Sequence, residues 1–297
     1  MDIRTLYTLL AIADHGSFAG AARALGLSIS GVSLQMRGLE EETGLTLFDR
    51  SRRPPALTPD GRGVVDRARD VIAAWERLSD SLRRPEDAGL LRVGCVHTLV
   101  AGILPRALVA LRKGRPDLTV HLTTALTHEL ETAVRHGRID VAVCTEPESV
   151  GTDLLFRQFC TQRLVLIAPE SATGDDAAAL LAANPYVRFN REARVAALVE
   201  TSMAQIGVNP VTCMEIDTLE GVLSMVLHGL GVSVVPEPFR DRPLPAGLRM
   251  LTLGEPPAKR AIGTLVRPDS VRLRFIDALH AALIGACDAD GGTVLSS

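Results

Sequence analysis

The 297-residue chain has five cysteines (Cys95, Cys144, Cys160, Cys213 and Cys287), an odd number with no CxxC spacing among them. Neither a disulfide framework nor a zinc site is expected from that pattern. No uninterrupted apolar stretch reaches bilayer length, so no membrane partner is expected. The start, MDIRTLYTLL, has an acid at position 2 and only a short apolar run, which is not the shape of an export signal, and a cytoplasmic location is expected. There is no HExxH, no glycine-rich phosphate loop after a strand, and no Ser-His-Asp order with supporting motifs. The expectation is no enzyme, no metal and no cofactor. An excess of positive charge is lacking too: 32 Lys+Arg stand against 35 Asp+Glu. Residues 1–85 hold 12 Arg and 11 acids, net +1, and the remainder 20 Lys+Arg and 24 acids, net −4. Total charge therefore does not point to nucleic acid, and any basic surface must come from local clustering at Arg50, Arg52 and Arg53.

What is present concentrates in residues 16–61. Ile3, Leu6, Leu10 and Ala13 recur at helical spacing, so a first helix can bury one face. Gly16 ends it, and Ser17 can cap a second helix that turns Phe18, Ala21, Ala22 and Leu25 inward. Alanine suits that face because two steeply crossing helices must approach closely. Gly26 permits a left-handed turn, Ser28 can cap a third helix, and Gly44 stops it. Val32, Met36 and Leu39 form the buried stripe of the third helix. Ser30, Leu34, Arg37 and Glu41 take the opposite face, with Ser33 on the flank. Leu47–Arg50, then Ser51-Arg52-Arg53-Pro54-Pro55, then Leu57–Gly61 read as a basic hairpin followed by a capped helix start. This is the outline of a winged helix-turn-helix, which docks its third helix in a DNA major groove and sets arginines against phosphates or in a minor groove. The competing reading is an ordinary helical hairpin with a solvated charged loop.

Thr58 can cap a long helix with Pro59 at its first position. Val64, Ala68, Val71, Trp75, Leu78 and Leu82 follow at alternating steps of four and three, a coiled-coil seam. A helix from Pro59 to about Arg83 is roughly 37 Å long. Packing against a twin helix predicts a homodimer; the alternative is that the seam lies on the chain's own C-terminal part. Arg84–Gly89 is a breaker-rich hinge.

Beyond it, strands and helices alternate: Leu91–Val96, Ala101–Leu111, Thr119–Thr124, Glu129–His136 and Ile139–Cys144. Then come Leu164–Ala168, Tyr186–Phe189, Ala196–Ile206, Val211–Ile216, Leu219–His228, Val232–Val235 and a final helix Val271–Leu283. Mostly parallel sheets covered by helices are expected.

Residues 1–61 resemble the DNA-binding domain of LysR-type transcriptional regulators. The resemblance rests on Gly16-Ser17-Phe18, Ala21-Ala22, Leu25, Ser28, Ser33, Gln35, Leu39-Glu40, Gly44, Leu47-Phe48, Arg50, Leu57-Thr58 and Gly61. It extends along nearly the whole chain through Gly137-Arg138-Ile139-Asp140-Val141-Ala142-Val143 and Gly229-Leu230-Gly231-Val232-Ser233-Val234-Val235-Pro236. It implies an α/β chain: an N-terminal, all-α winged helix-turn-helix (1–58), then a linker helix and hinge for dimerisation (59–89). A two-lobed effector domain of type II periplasmic-binding-protein architecture follows (90–285), with Rossmann-like lobes at 90–160 with 267–285 and at 161–266. Residues 286–297 are expected to be a disordered tail. The resemblance also implies that dimers pair into tetramers. Two positions depart from the family pattern: Ile29 stands where Gln is common and Leu34 where Arg is common. Gln and Arg read base edges bidentately, whereas Ile and Leu touch only a thymine methyl. The expected DNA contacts are Ser28, Ile29, Ser30, Ser33, Leu34, Arg37, Arg50, Arg52 and Arg53, with more reliance on backbone contacts and DNA shape.

Ligands of two-lobed α/β folds sit at the carboxyl ends of strands, in the crevice between lobes. The segments reaching it are His97, Thr98 and Leu99, Thr127, and Thr145 from one lobe. Asn190, Arg191, Asp217, Thr218, Val232 and Ser233 come from the other. Hydroxyls and free N–H groups at helix starts favour an anion, so the expected effector is a small carboxylate. Arg188, Arg191 and Arg194 add to this only if they point inward. Asp217 with Glu220 also fits a capping box, which by itself accounts for Asp217; His97 reads as a packed or solvent-facing residue as readily as a ligand contact. The expected function is ligand-controlled binding of promoter DNA, with RNA polymerase recruitment or access as the output. A solute-binding protein and a thiol-based redox sensor using Cys95, Cys144, Cys160 or Cys213 are the competing functions.

Overall fold

The computed structural model describes residues 2–51, 54–82, 89–240 and 243–290. The sequence's Arg52, Arg53, most of the expected hinge and residues 291–297 fall outside them. The chain divides into two compact units, one built mainly from residues up to 87 and the other from residues 88 onward.

The first unit starts with α1 (Ile3–His15), α2 (Phe18–Leu25) and α3 (Ile29–Thr43). Its boundaries fall where short polar residues and glycines put them. Asp2, Ser17 and Ser28 cap the three N-termini with their side-chain oxygens, and Gly16, Gly26 and Gly44 end the helices at φ 64°, 65° and 68°. Those angles suit glycine because it has no Cβ to clash. Two short strands, β1 (Phe48–Asp49) and β2 (Ala56–Leu57), pair antiparallel as the wing of an otherwise helical unit. Thr58 then caps α4 (Pro59–Leu82), its Oγ1 accepting from Gly61 N at 2.9 Å.

One core joins these elements: Leu6, Leu9 and Ile12, Ala21 and Ala22, Val32, Met36 and Leu39, Leu47 and Phe48, and Val65, Ala68 and Ile72. Two details differ from the sequence reading. Ile3, Leu10 and Ala13 are half-buried at the margin while Leu9 and Ile12 fill the centre, and Leu25 is exposed. A helical stripe is about 100° wide, so neighbouring positions compete for its centre and periodicity does not choose between them. Thr8 Oγ1 donates to Gln35 Oε1 at 2.6 Å and ties α1 to α3. Along α4 the expected seam splits: Ala68 is buried in the unit's own core, whereas Val71, Trp75 and Leu78 are exposed.

The second unit contains β3 (Leu90–Cys95), α5 (His97–Val100), α6 (Ile103–Gly114), β4 (Thr119–Thr124), α7 (Thr127–Arg135) and β5 (Val141–Thr145). The long β6 (Leu155–Pro169) leads to α8 (Ala177–Ala183), β7 (Tyr186–Phe189), α9 (Arg194–Gln205), β8 (Thr212–Ile216), α10 (Leu219–Leu227) and β9 (Ser233–Pro236). The chain closes with β10 (Leu248–Thr252), β11 (Lys259–Val266) and α11 (Leu273–Asp290).

The sheets are mixed rather than mostly parallel. β3 pairs parallel with β4 and β5, and β7 with β8, but β11 runs antiparallel to both β5 and β6. The first nine residues of β6 pair with β11 in one lobe, and the rest pair with β9 and β10 in the other. The reversed strand is β11 in the first lobe, whereas the shared β6 runs against β9 and β10 in the second, which the apolar runs alone did not reveal. β11 pairs along its whole length with the first-lobe part of β6, and Ile262 and Val266 join the core beside Leu91 and Val93. The second crossing therefore precedes Lys259 instead of falling near Val266. The expected tail also starts too early, because α11 continues to Asp290 and buries Ala286 and Cys287.

Cys160 on β6 and Cys287 on α11 form a disulfide across 127 residues of sequence, with Cα atoms 6.1 Å apart. The absence of CxxC spacing carries no information about cysteines that the fold brings together. Cys95 and Cys144 are free and buried, and burial raises both thiols, Cys144 to about 12. Both are poor nucleophiles at neutral pH.

Gly61 is held by space, since a Cβ there would overlap the carbonyl oxygen of Leu47. Gly61→Ala should destabilise the N-terminal unit by about 1–3 kcal/mol, read as a lower urea midpoint; an unchanged midpoint would show that the wing gives way freely.

Candidate functional sites: a groove-reading helix and an arginine-floored cleft

In the first unit α3 presents a polar and apolar face to solvent. Ser28 Oγ accepts from Gly31 N at 3.0 Å and lies 3.1 Å from Ser30 Oγ. Ile29 and Leu34 are 57% and 71% exposed, Ser30 and Arg37 are exposed, and Ser33 is half-buried. Two large apolar side chains standing in water on an otherwise polar face are not there for the core. Glu40 fixes the wing to this helix. One of its carboxylate oxygens accepts from the N–H groups of Leu47 (2.8 Å) and Phe48 (3.2 Å), and the other accepts from Arg50 Nη2 at 2.7 Å. Arg50, expected on phosphate, is thus engaged as a brace at the base of the wing.

In the second unit a small cavity of about 30 Å³ opens between the two lobes. It gathers His97, Thr98, Thr127, Thr145, Asn190 and Asp217, six of the residues read from sequence, together with Arg194 and Arg260. Arg194 reaches across from α9 and donates to the carbonyl of Glu146 at 3.2 Å. α9 begins at Ala193 without a side-chain cap, leaving N–H groups at its positive end.

Arg260 dominates the chemistry. Its side chain is 1% exposed. Nη1 donates to Thr98 Oγ1 at 3.0 Å and Thr145 Oγ1 at 3.2 Å. Nε and Nη2 both donate to Gln162 Oε1, at 2.8 and 2.6 Å. Every acceptor is neutral, and among the described residues no carboxylate pairs with it. Burial disfavours the charged form and pulls its pKa down to about 9, which still leaves it cationic at neutral pH. An unpaired buried charge is costly, and an incoming anion offsets that cost. Because Thr98 and Thr145 accept from the guanidinium, their own O–H groups point elsewhere as donors. Sequence reading missed Arg260; its signal is a cation leading the otherwise apolar strand Ala261–Val266.

Five expected ligand contacts, Thr218 among them, do not line this cavity. Leu99 and Val232 are fully buried in the two lobe cores. Ser233 is also buried, its hydroxyl donating to Val187 O at 2.7 Å. Arg191 turns outward to Glu215 at 3.4 Å. Arg188 likewise pairs elsewhere, with Glu200 and Thr212. Thr218, not Asp217, caps α10, accepting from Gly221 N at 3.2 Å. The capping-box reading is thereby corrected, and Asp217 faces the small cavity.

A helix-turn-helix with a wing, followed by a two-lobed ligand-binding unit, defines a DNA-binding regulator with a sensory domain. Residues 3–62 match the bacterial regulatory helix-turn-helix protein family, lysR type, and residues 84–288 match the LysR substrate binding domain. The chain belongs to the LysR family of transcriptional regulators. It is 28% identical over 240 residues to the HTH-type transcriptional regulator CzcR of Bacillus subtilis, covering 80% of this chain and 81% of that protein. The solved structure of CbnR, a LysR family transcriptional regulator, superposes with a TM-score of 0.75 at 23% identity, covering 95% and 99% of the two chains. Full-length CbnR complexed with its target DNA gives 0.73 at 22% identity, covering 95% of this chain and 100% of that one. Among the described residues no helix is long and apolar enough to cross a membrane.

Ile29→Gln combined with Leu34→Arg should change the preferred base sequence in selection from random duplexes, each new bidentate pair adding about 1–3 kcal/mol of discrimination. Recovery of the same preferred site by both proteins would remove these residues from base contact.

Proposed function

We propose that this regulator binds promoter DNA as a cytoplasmic homodimer, assembling further to a tetramer, under the control of a small anionic effector held between its two lobes. The observation that carries the anionic reading is Arg260: a buried cation with only neutral acceptors, beside a cavity lined by hydroxyls. Arg194 and the uncapped start of α9 add positive potential, against the single carboxylate of Asp217 among the described lining residues. The exposed Val71, Trp75 and Leu78 on α4 support pairing with a twin helix. On DNA, α3 occupies the major groove with Ser28, Ile29, Ser30, Ser33, Leu34 and Arg37, and Arg52 and Arg53 contact the backbone while Arg50 braces the wing through Glu40.

The effector acts by preferring one arrangement of the assembly over another, and it shifts the balance only in proportion to that preference. The altered placement of the winged units then changes access for RNA polymerase or its recruitment.

Two measurements test this. Footprinting upstream of the protein's own coding region should show protection that weakens steeply with salt, as phosphate contacts require; protection absent at every salt concentration would contradict DNA binding there. A fragment truncated after Gly89 should sediment as a dimer, and a strictly monomeric fragment would rule out pairing through α4.

A further inference from the structure

The cavity holding Arg260 has room for little more than a carboxylate, about 30 Å³. A second cavity of about 520 Å³ adjoins it, and His97 and Thr98 line both. Volumes of that order hold whole organic ligands. Its walls are predominantly apolar. Leu219, Leu223 and Leu227 recur every four residues along α10 and face it, as do Val100 of α5 and Phe239 in the segment after β9. Phe239 lies so close over Gly102 that any side chain there would overlap its ring. No Lys or Arg lines this cavity among the described residues, so nothing described there pairs with a second anionic group. Glu237 is already paired with Arg163 through both carboxylate oxygens. Gln162 joins the two compartments: it accepts from Arg260 and donates to the carbonyl of Glu237 at 2.6 Å.

We propose that the effector is an amphipathic monocarboxylate, its carboxylate on Arg260, Thr98 and Thr145 and its apolar body in the cavity walled by α10, α5 and Phe239. This rests on the anionic reading of the small cavity and extends it to the rest of the molecule. Among the described lining residues a short dicarboxylate finds no cation for its second charge, and a neutral hydrocarbon leaves Arg260 uncompensated.

Isothermal titration of the full chain with butanoate, hexanoate and octanoate, and with 1-octanol and succinate, tests the assignment. Affinity should rise about fourfold per added methylene along the acid series, and 1-octanol should bind at least about tenfold more weakly than octanoate for want of a charge-assisted hydrogen bond. Leu223→Trp, which fills the apolar cavity, should flatten the chain-length dependence by weakening octanoate far more than butanoate. A flat series in the wild-type chain, succinate binding more tightly than octanoate, or 1-octanol matching octanoate would overturn the amphipathic assignment. If no acid of any length binds, the anionic reading of the small cavity falls with it.

Discussion

One guanidinium, buried among neutral side chains, is the constraint around which the cleft of the second unit is arranged. Placing Arg260 in the first lobe's interior costs solvation, and Thr98, Thr145 and Gln162 restore only part of it through hydrogen bonds. The arrangement is an incomplete site: three acceptors hold the cation in place and leave its charge unbalanced. It also orients two hydroxyls, because an oxygen that accepts from Arg260 must donate in another direction. The same side chain reaches the crossing between lobes. Gln162 sits on β6 near the point where that strand passes from one sheet to the other, and it donates to the backbone just after β9. A group that neutralises Arg260 therefore acts on a network already attached to both lobes.

The N-terminal unit follows a different logic. Its geometry depends on local chemistry: three side-chain caps, three left-handed glycines, and small residues where helices cross. Glu40 then links the end of α3 to the wing through two backbone N–H groups and Arg50. α3 and the wing are thereby tied together, so that in the proposed DNA-bound state groove and backbone contacts are positioned together. Ile29 and Leu34, exposed on α3, add apolar surface to an otherwise polar face.

Much of this was legible in the sequence because it is local. Ser17, Ser28 and Thr58 announce helix starts, Gly16, Gly26 and Gly44 announce ends, and Val32, Met36 and Leu39 mark the buried stripe of α3. What stayed hidden is non-local. The polar half of β6, FRQFCTQR, looks like no buried strand until β11 lies against it, and the bond between Cys160 and Cys287 depends on α11 reaching β6. In the cleft, the loops read from sequence line the cavity, but not every residue read on them does. Thr98 faces the cavity while the next residue, Leu99, faces the core, and Ser233 turns to Val187. A one-residue change of direction reverses the role of a side chain, and spacing alone does not fix that direction. Arg260 was missed because its strand was not recognised.

The central claim is that charge compensation at Arg260 is what the DNA-binding state responds to. Its most direct test is the DNA affinity of the full chain, measured by fluorescence anisotropy with and without a saturating monocarboxylate, for the natural protein and for Arg260→Gln. The account predicts that the acid shifts the natural protein's affinity by about fivefold or more, while Arg260→Gln binds DNA without ligand and ignores the acid. An equal shift in both proteins would contradict it.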